Sequence, residues 1–272
     1  MEVCKYPNKV PKYQLGSDPT DTERRGPTHE RQPTRFKTMD AVGLTKSHPR
    51  LLTFARRIRA AITGKPYGFN RQKMRVKAFR AITLAVRFDN FIETGSYIGK
   101  TTLFLATIAK RHRAKVYSCE INDEYFEIAK ATTRGAKNLQ LHHEDSVKFL
   151  SKLDPIVRKE FNFIYLDAHW YDYLPLKDEL SIISAWPNSI VMIDDFKVPF
   201  DDGFGWDRYD AEREICMRYI EGAVAGQPIF FPAYGAASEG TVARGYCVIA
   251  MSGDMGARLE KIELLKRFSE NV

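Results

Sequence analysis

From residue 90 onward, short apolar runs alternate with longer stretches whose apolar positions recur at helical spacing. Runs at 90–93, 115–119, 139–142, 162–166 and 190–193 have strand length and carry apolar residues on both faces. Between them, 101–111, 123–133, 146–153 and 175–185 read as helices. Strands alternating with helices in this way predict a doubly wound α/β domain on a parallel sheet. The tail departs from the alternation. A helix is predicted at 209–223, then strands at 228–231 and 245–251 with only a loop between them, which implies an antiparallel hairpin. A last amphipathic helix is predicted at 257–268. Ahead of the sheet, Leu51, Leu52, Phe54, Ala55, Ile58 and Ile62 form the stripe of a helix at 49–63. Met74, Ala78, Phe79, Ile82 and Ala85 do the same at 71–87, after a break at 64–68. The expected organisation is a basic arm at 1–47, capping helices at 48–88 and one seven-stranded domain at 89–272.

Charge sharpens this division. The chain of 272 residues has a net charge of +8, but residues 1–80 hold 19 Lys and Arg against 6 Asp and Glu, while the remainder hold 23 against 28. The arm, rich in Pro, Thr, Lys and Arg with few apolar groups, lacks the means to form a core. The basic side chains Arg56, Arg57, Arg59, Lys73, Arg75 and Lys77 are expected on the outer face of the capping helices, where they suit an anionic partner such as a membrane surface, nucleic acid or acidic glycan. No apolar stretch reaches the ~18 residues of a membrane span, and no signal-peptide core opens the chain. Cys4, Cys119, Cys216 and Cys247 are too scattered for a metal knuckle. They read as free thiols of a reducing, cytoplasmic setting.

The first chemical signal is the run Phe91-Ile92-Glu93-Thr94-Gly95-Ser96-Tyr97-Ile98-Gly99-Lys100-Thr101-Thr102. A strand ends in an acid, a glycine-bearing turn follows, and a helix begins. Such a turn lets a ligand approach the backbone and meet free N–H groups at the helix start. Gly99-Lys100-Thr101 imitates the end of a phosphate-binding P-loop, but only three residues separate Gly95 from Gly99 where that loop has four. Glu93 would also repel a polyphosphate. The second strand ends at Glu120, 25 residues past Gly95, where an acid accepts the hydroxyls of a ribose. Asp145 and Ser146, after the third strand, suit either an adenine contact or a helix N-cap.

The second signal follows strands four and five. One ends Leu166-Asp167-Ala168-His169-Trp170-Tyr171-Asp172 and the other Ile193-Asp194-Asp195-Phe196-Lys197. In an open parallel sheet both ends open on the crevice beside the glycine loop. Asp167, Asp194 and Asp195 would converge there, repelling one another unless a hard cation such as Mg²⁺ holds them.

Together, these features resemble the class I S-adenosylmethionine (SAM)-dependent methyltransferases, and over about residues 75–255 the metal-dependent O-methyltransferase branch of catechol and macrocin type. The resemblance implies a Rossmann-like seven-stranded sheet ending in the antiparallel hairpin. It implies cofactor contacts from Glu93, Gly95, Ser96, Tyr97, Gly99, Thr101, Glu120, Asp145, Ser146 and Asp167, and Mg²⁺ on Asp167, Asp194 and Asp195. The sequence departs from the catechol type in having Tyr171 and Asp172 where a lysine base would follow the His-Trp pair, and in the extra Ala168. The general base is thus open between His169, Lys197 and Asp172, in that order. The acceptor is expected to be a hydroxylated small molecule or glycan, given the aromatic, glycine-rich and acidic stretch 196–209. Association of two copies as a homodimer is also expected to be within reach. The competing readings are a P-loop ATPase or kinase and a non-catalytic SAM-fold binding protein acting through the basic arm.

Overall fold

The structure, a computed structural model, describes residues 67–169 and 173–269 together with Ile58. The arm at 1–47, the helix expected at 49–63 and Asp172 lie outside the described residues. The first described helix, α1 (Lys73–Ala85), precedes strand β1 (Asn90–Thr94). Helix and strand then alternate through α2 (Lys100–His112), β2 (Lys115–Glu120), α3 (Asp123–Thr133), β3 (Leu139–His143), α4 (Ser146–Val157), β4 (Asn162–Leu166), α5 (Leu176–Ile183) and β5 (Ser189–Asp194). The tail adds α6 (Met217–Ile220), β6 (Ile229–Pro232), β7 (Tyr246–Ala250), α7 (Gly253–Leu259) and β8 (Leu265–Arg267).

One sheet of eight strands runs in the order β3-β2-β1-β4-β5-β7-β6-β8. The first five strands are parallel, and β7, β6 and β8 pair antiparallel. The expected Rossmann-like fold with its terminal hairpin is therefore present, with one strand more than the expected seven.

Every residue of β1, β4, β5 and β7 is buried, because helices cover both faces. Alternation along each strand sends successive side chains to opposite layers. Phe91, Phe163, Tyr165, Met192 and Val248 meet α1, α2 and α7 on one face. Ile92, Ile164, Leu166, Val191 and Ile249 meet α4 and α5 on the other. The first layer is aromatic: Phe79 lies edge-on to Phe163, with ring centres 4.8 Å apart, and Phe69 to Tyr165 at 5.0 Å.

Two predicted helices are corrected. Within 209–223 only Met217–Ile220 is α-helical, followed by a 3₁₀ turn at Glu221–Ala223. The Asp210 carboxylate takes the backbone N–H groups of Glu212 and Arg213 (2.9 and 2.7 Å). That turn folds the chain back so that Ile215 N–H donates to Asp207 C=O at 3.0 Å, and side-chain-to-backbone bonding wins over helix propensity. The last predicted helix stops at Leu259, and Leu265–Arg267 becomes β8 because β6 has a free edge to pair with. Arg75, expected on an outer face, is fully buried, whereas Lys73 and Lys77 are exposed.

Among the described residues no helix is long and apolar enough to cross a membrane. Cys119, Cys216 and Cys247 are free and buried.

Candidate functional site

The glycine loop connects β1 to α2 at the edge where the parallel strands end. Gly95 has φ +80°, and a Cβ there would stand 2.3 Å from the Asp167 carbonyl oxygen. This glycine is required first by the close pass of the chain leaving β4, and only then by any ligand. Gly99 (φ +78°) opens α2, and its Cβ would press 3.0 Å from the Ala129 Cα on α3. Tyr97 takes φ +48°, a strained conformation held by its surroundings: its N–H donates to Glu120 at 2.8 Å. Gly95 and Ser96 N–H groups donate to the Cys119 carbonyl at 3.1 and 3.0 Å. Loop and β2 end are thus one unit, and Glu120, which also accepts from Asn122 N–H at 2.9 Å, is fixed at its rim. Thr101 stands in the first turn of α2, half-buried.

Beneath the loop lies Glu93. Its Oε2 accepts from Thr102 and Ser118 hydroxyls (2.5 and 2.6 Å), while Oε1 is buried with no partner. The Ser96 hydroxyl is likewise buried and unpartnered. Such orphaned atoms are what a polar ligand under a glycine cradle completes. Burial pushes the Glu93 carboxyl up to about 7 against the pull of those hydroxyls. A second acid, Glu179 on α5, is also fully buried and pushed by burial to about 7.

Both carboxyls have folded pKa values above the unfolded value of 4.5. The stability they contribute is therefore complete below about 4.5 and lost as pH rises through about 7, roughly 3 kcal/mol for each. Urea unfolding at about pH 5 and about pH 8 should show that loss, and Glu93→Gln and Glu179→Gln should each shrink it. An unchanged pH dependence in both variants would contradict the assignment.

Strands β4 and β5 deliver the acid cluster. Asp167, His169 and Asp195 each present a ligating atom, all within 4.8 Å of one another. His169 Nε2 stands 3.6 Å from Asp195, 3.9 Å from Asp167 and 4.0 Å from Asp207. It is buried without a hydrogen-bond partner, so these are ion-pair distances. Burial alone would lower the His169 pKa, but Asp195, Asp207 and Asp194 outweigh it and raise it. Burial and the crowding of Asp194 and Asp195 push Asp167 well up. Arg244, from the loop before β7, donates to Asp195 at 2.5 Å and also pairs with Asp207. With His169, it overrides the effect of burial and holds Asp195 well below the ordinary carboxylate range.

Asp194, expected as a metal ligand, is not part of this cluster. Neighbouring strand residues face opposite ways, so Asp195 enters the cleft while Asp194 turns beneath the sheet. There it pairs with the buried Arg75 of α1 and accepts from the Tyr165 hydroxyl and from Asp195 N–H. Arg75 also donates to the carbonyls of Arg244 and Gly245 and lies over the Tyr246 ring. One guanidinium thus anchors the Arg244 backbone directly and the Asp195 N–H through the Asp194 carboxylate. Glu239 in turn accepts from the N–H groups of Met74 and Arg75 (2.8 and 3.0 Å), capping α1 from a distant loop.

Lys197 is not brought to the cluster either. Its amine lies 3.5 Å from Glu214 and over the Trp206 ring. Asp145 caps α4, accepting from Val147 and Lys148 N–H (3.0 and 3.1 Å) and from the Tyr173 hydroxyl. This is the N-cap reading, and Ser146 is the first residue of that helix. In the stretch 196–209, Phe196 and Phe204 are core residues. Asp201 is spent on Gly203 and Ala236 N–H groups. Trp206, Asp207 and Tyr209 are left half-buried beside the cluster, and Tyr209 is raised by burial and by Asp207, Asp195 and Asp167.

Residues 92–196 match the family described as a methyltransferase domain. That span begins in β1 and ends one residue past Asp195, so it contains the loop, Glu120 and the acids of both strands. That match marks the segment as a methyltransferase domain, and the P-loop reading falls away with it and with Glu93 sealed beneath the loop. No curated protein matches the sequence. Solved structures with a similar course include an O-methyltransferase from Streptomyces achromogenes involved in tomaymycin synthesis, in complex with SAM (15% identity, 77% of this chain and 92% of that one, TM-score 0.46). Others are a Bacillus cereus O-methyltransferase (15%, 76% and 93%, 0.46) and a SAM-dependent methyltransferase from Aquifex aeolicus (14%, 71% and 95%, 0.45).

Proposed function

We propose that this protein transfers the methyl group of SAM to a hydroxyl oxygen of a small molecule or sugar, with a divalent cation on Asp167, His169 and Asp195. The observation that carries the reading is the juxtaposition of the glycine loop with that cluster: Gly95 presses on the Asp167 carbonyl itself. Glu120 is the ribose acceptor, and Ser96 and the loop amides border the cofactor. Two carboxylates and an unpartnered imidazole fit a cation of the Mg²⁺ or Mn²⁺ kind, the imidazole favouring metals softer than Mg²⁺. When bound, such a cation supplies Lewis acidity toward an acceptor oxygen.

The chain's own residues do the rest. His169 is spent on that cation, and takes the acceptor's proton only where the site holds none. Arg244 holds Asp195 and Asp207 in place, and Tyr209 offers a ring face on which a sugar or phenol can lie. Most of the acceleration comes from holding two reactants in line.

Arg244 supports a second reading, in which its guanidinium is the cation of the site and no metal is needed. One experiment separates these. SAM is titrated calorimetrically into the protein and into Glu120→Ala, and methyl transfer to a panel of phenols and sugars is followed with and without chelator. Binding lost in Glu120→Ala, with transfer that stops in chelator and returns with Mg²⁺ or Mn²⁺, is the expected outcome. Transfer indifferent to chelator favours the Arg244 reading. Failure of the unaltered protein to bind SAM sinks both.

A further inference from the structure

The opposite edge of the sheet, where the parallel strands begin, carries a feature that methyl transfer does not use. Arg80 and Arg87, on and just after α1, and Arg111 and Arg113, at the end of α2, line a cavity of about 620 Å³. All four are exposed, and none has a carboxylate partner among the described residues. The nearby acids are turned elsewhere: Asp89 accepts from Phe161 N–H and Glu160 from the Asn90 amide. His112, at the cavity wall, accepts from Phe88 N–H, and burial followed by Arg87 lowers its pKa. Four unneutralised arginines around one concavity repel each other in the free protein, and a polyanion relieves that.

A second observation joins this one. Leu84, on the same wall, is 89% exposed. It also borders an adjoining groove of about 940 Å³ between α1 and the segment from α7 to β8, floored by Ala81, Ala85, Ile262 and Leu264. The groove is also lined by Arg258, Lys261, Asp254 and Glu263, two charges of each sign. The surface is therefore arginine-lined on one side and, on the other, an apolar-floored groove of balanced charge, with the exposed Leu84 at the seam.

We infer that this face docks on an anionic phospholipid bilayer, headgroup phosphates entering the arginine cavity and Leu84 with the groove facing the acyl boundary. Arginine with an adjacent apolar strip is the composition of interfacial anchors. A nucleic acid would use the arginines alone, leaving Leu84 and the groove in water, and among the described residues lining these cavities no Phe, Tyr or Trp stands for base stacking. The inference does not depend on the reaction. It leaves the cofactor edge, at the other ends of the strands, open to solvent.

The test is sedimentation of the full chain with vesicles of phosphatidylcholine alone and of phosphatidylcholine with phosphatidylglycerol. Binding should require the anionic lipid and fall with added salt. Each arginine lost should weaken it about fivefold, so the triple variant Arg80→Ala/Arg87→Ala/Arg111→Ala should bind on the order of 100-fold more weakly. Leu84→Ser should cost about tenfold without altering the salt dependence. SAM binding and thermal unfolding of each variant check the fold, and the single-arginine variants serve if the triple one does not fold. Absence of vesicle binding would overturn the inference. So would vesicle binding that the triple variant retains, which would place it on the basic arm, and so would arginine-dependent binding to duplex nucleic acid without binding to vesicles.

Discussion

Replacing His169 by alanine should lower kcat for methyl transfer by about 10²-fold or more, through loss of a ligand to the cation or, in the metal-free reading, of the proton acceptor, while SAM binds as before. The separation follows from the geometry. His169 is buried with an Nε2 that has no hydrogen-bond partner 3.6 Å from Asp195 and 3.9 Å from Asp167, whereas Glu120, proposed as the ribose acceptor, is held by the glycine loop and Asn122. Single-turnover kinetics beside calorimetric SAM binding make the measurement. Retention of more than about a tenth of the rate would remove His169 from the chemistry. Loss of SAM affinity in parallel would mean that it only shapes the cofactor pocket.

Arg75→Met should destabilise the protein by about 3–5 kcal/mol, the usual result of stripping one partner from a buried ion pair. Asp194 would remain fully buried, with only the Tyr165 hydroxyl and one N–H to meet its charge. The carbonyls of Arg244 and Gly245 would each lose a donor. Urea unfolding reads the effect. Adding Asp194→Asn in the same chain should recover part of it, since the stranded charge is then gone. A loss under about 1 kcal/mol would show that Asp194 is neutralised by other means. The replacement lies outside the matched methyltransferase segment, yet it should also weaken activity, because Arg75 holds the Arg244 carbonyl and, through Asp194, the Asp195 N–H.

What the sequence revealed, and what it concealed, divides along physical lines. The five parallel strands were legible because burial on both faces writes an unbroken apolar run such as Phe163-Ile164-Tyr165-Leu166. The glycine loop was legible because φ near +80° at Gly95 and Gly99 leaves few alternatives. The reason for Gly95 was not, since its neighbour is the Asp167 carbonyl, a contact between distant strands. Asp194 was misplaced although the two-residue period of a strand separates it from Asp195; the pair looked like two ligands when only one can face the cleft. Arg244, Asp207 and Glu179 left little local trace. Each acquires its role from partners tens of residues away. At 209–223 the helical spacing was real but yielded to the Asp210 turn, and β8 answered the open edge of β6, which no local pattern announces.

The cap that Glu239 places on α1 has a consequence for the order of synthesis. Met74 and Arg75 leave the ribosome well before the residues that complete them, with 165 positions between Met74 and Glu239 and 169 between Arg75 and Arg244. At the usual pace of translation, the first helix waits roughly 10–30 s for its partners. During that interval its buried face, with Phe79 and Ile82, has no finished sheet to rest against. The buried ion pair and the cap of the first helix are therefore among the last contacts of the domain to form, and the helix stays exposed until the loop before β7 has been made.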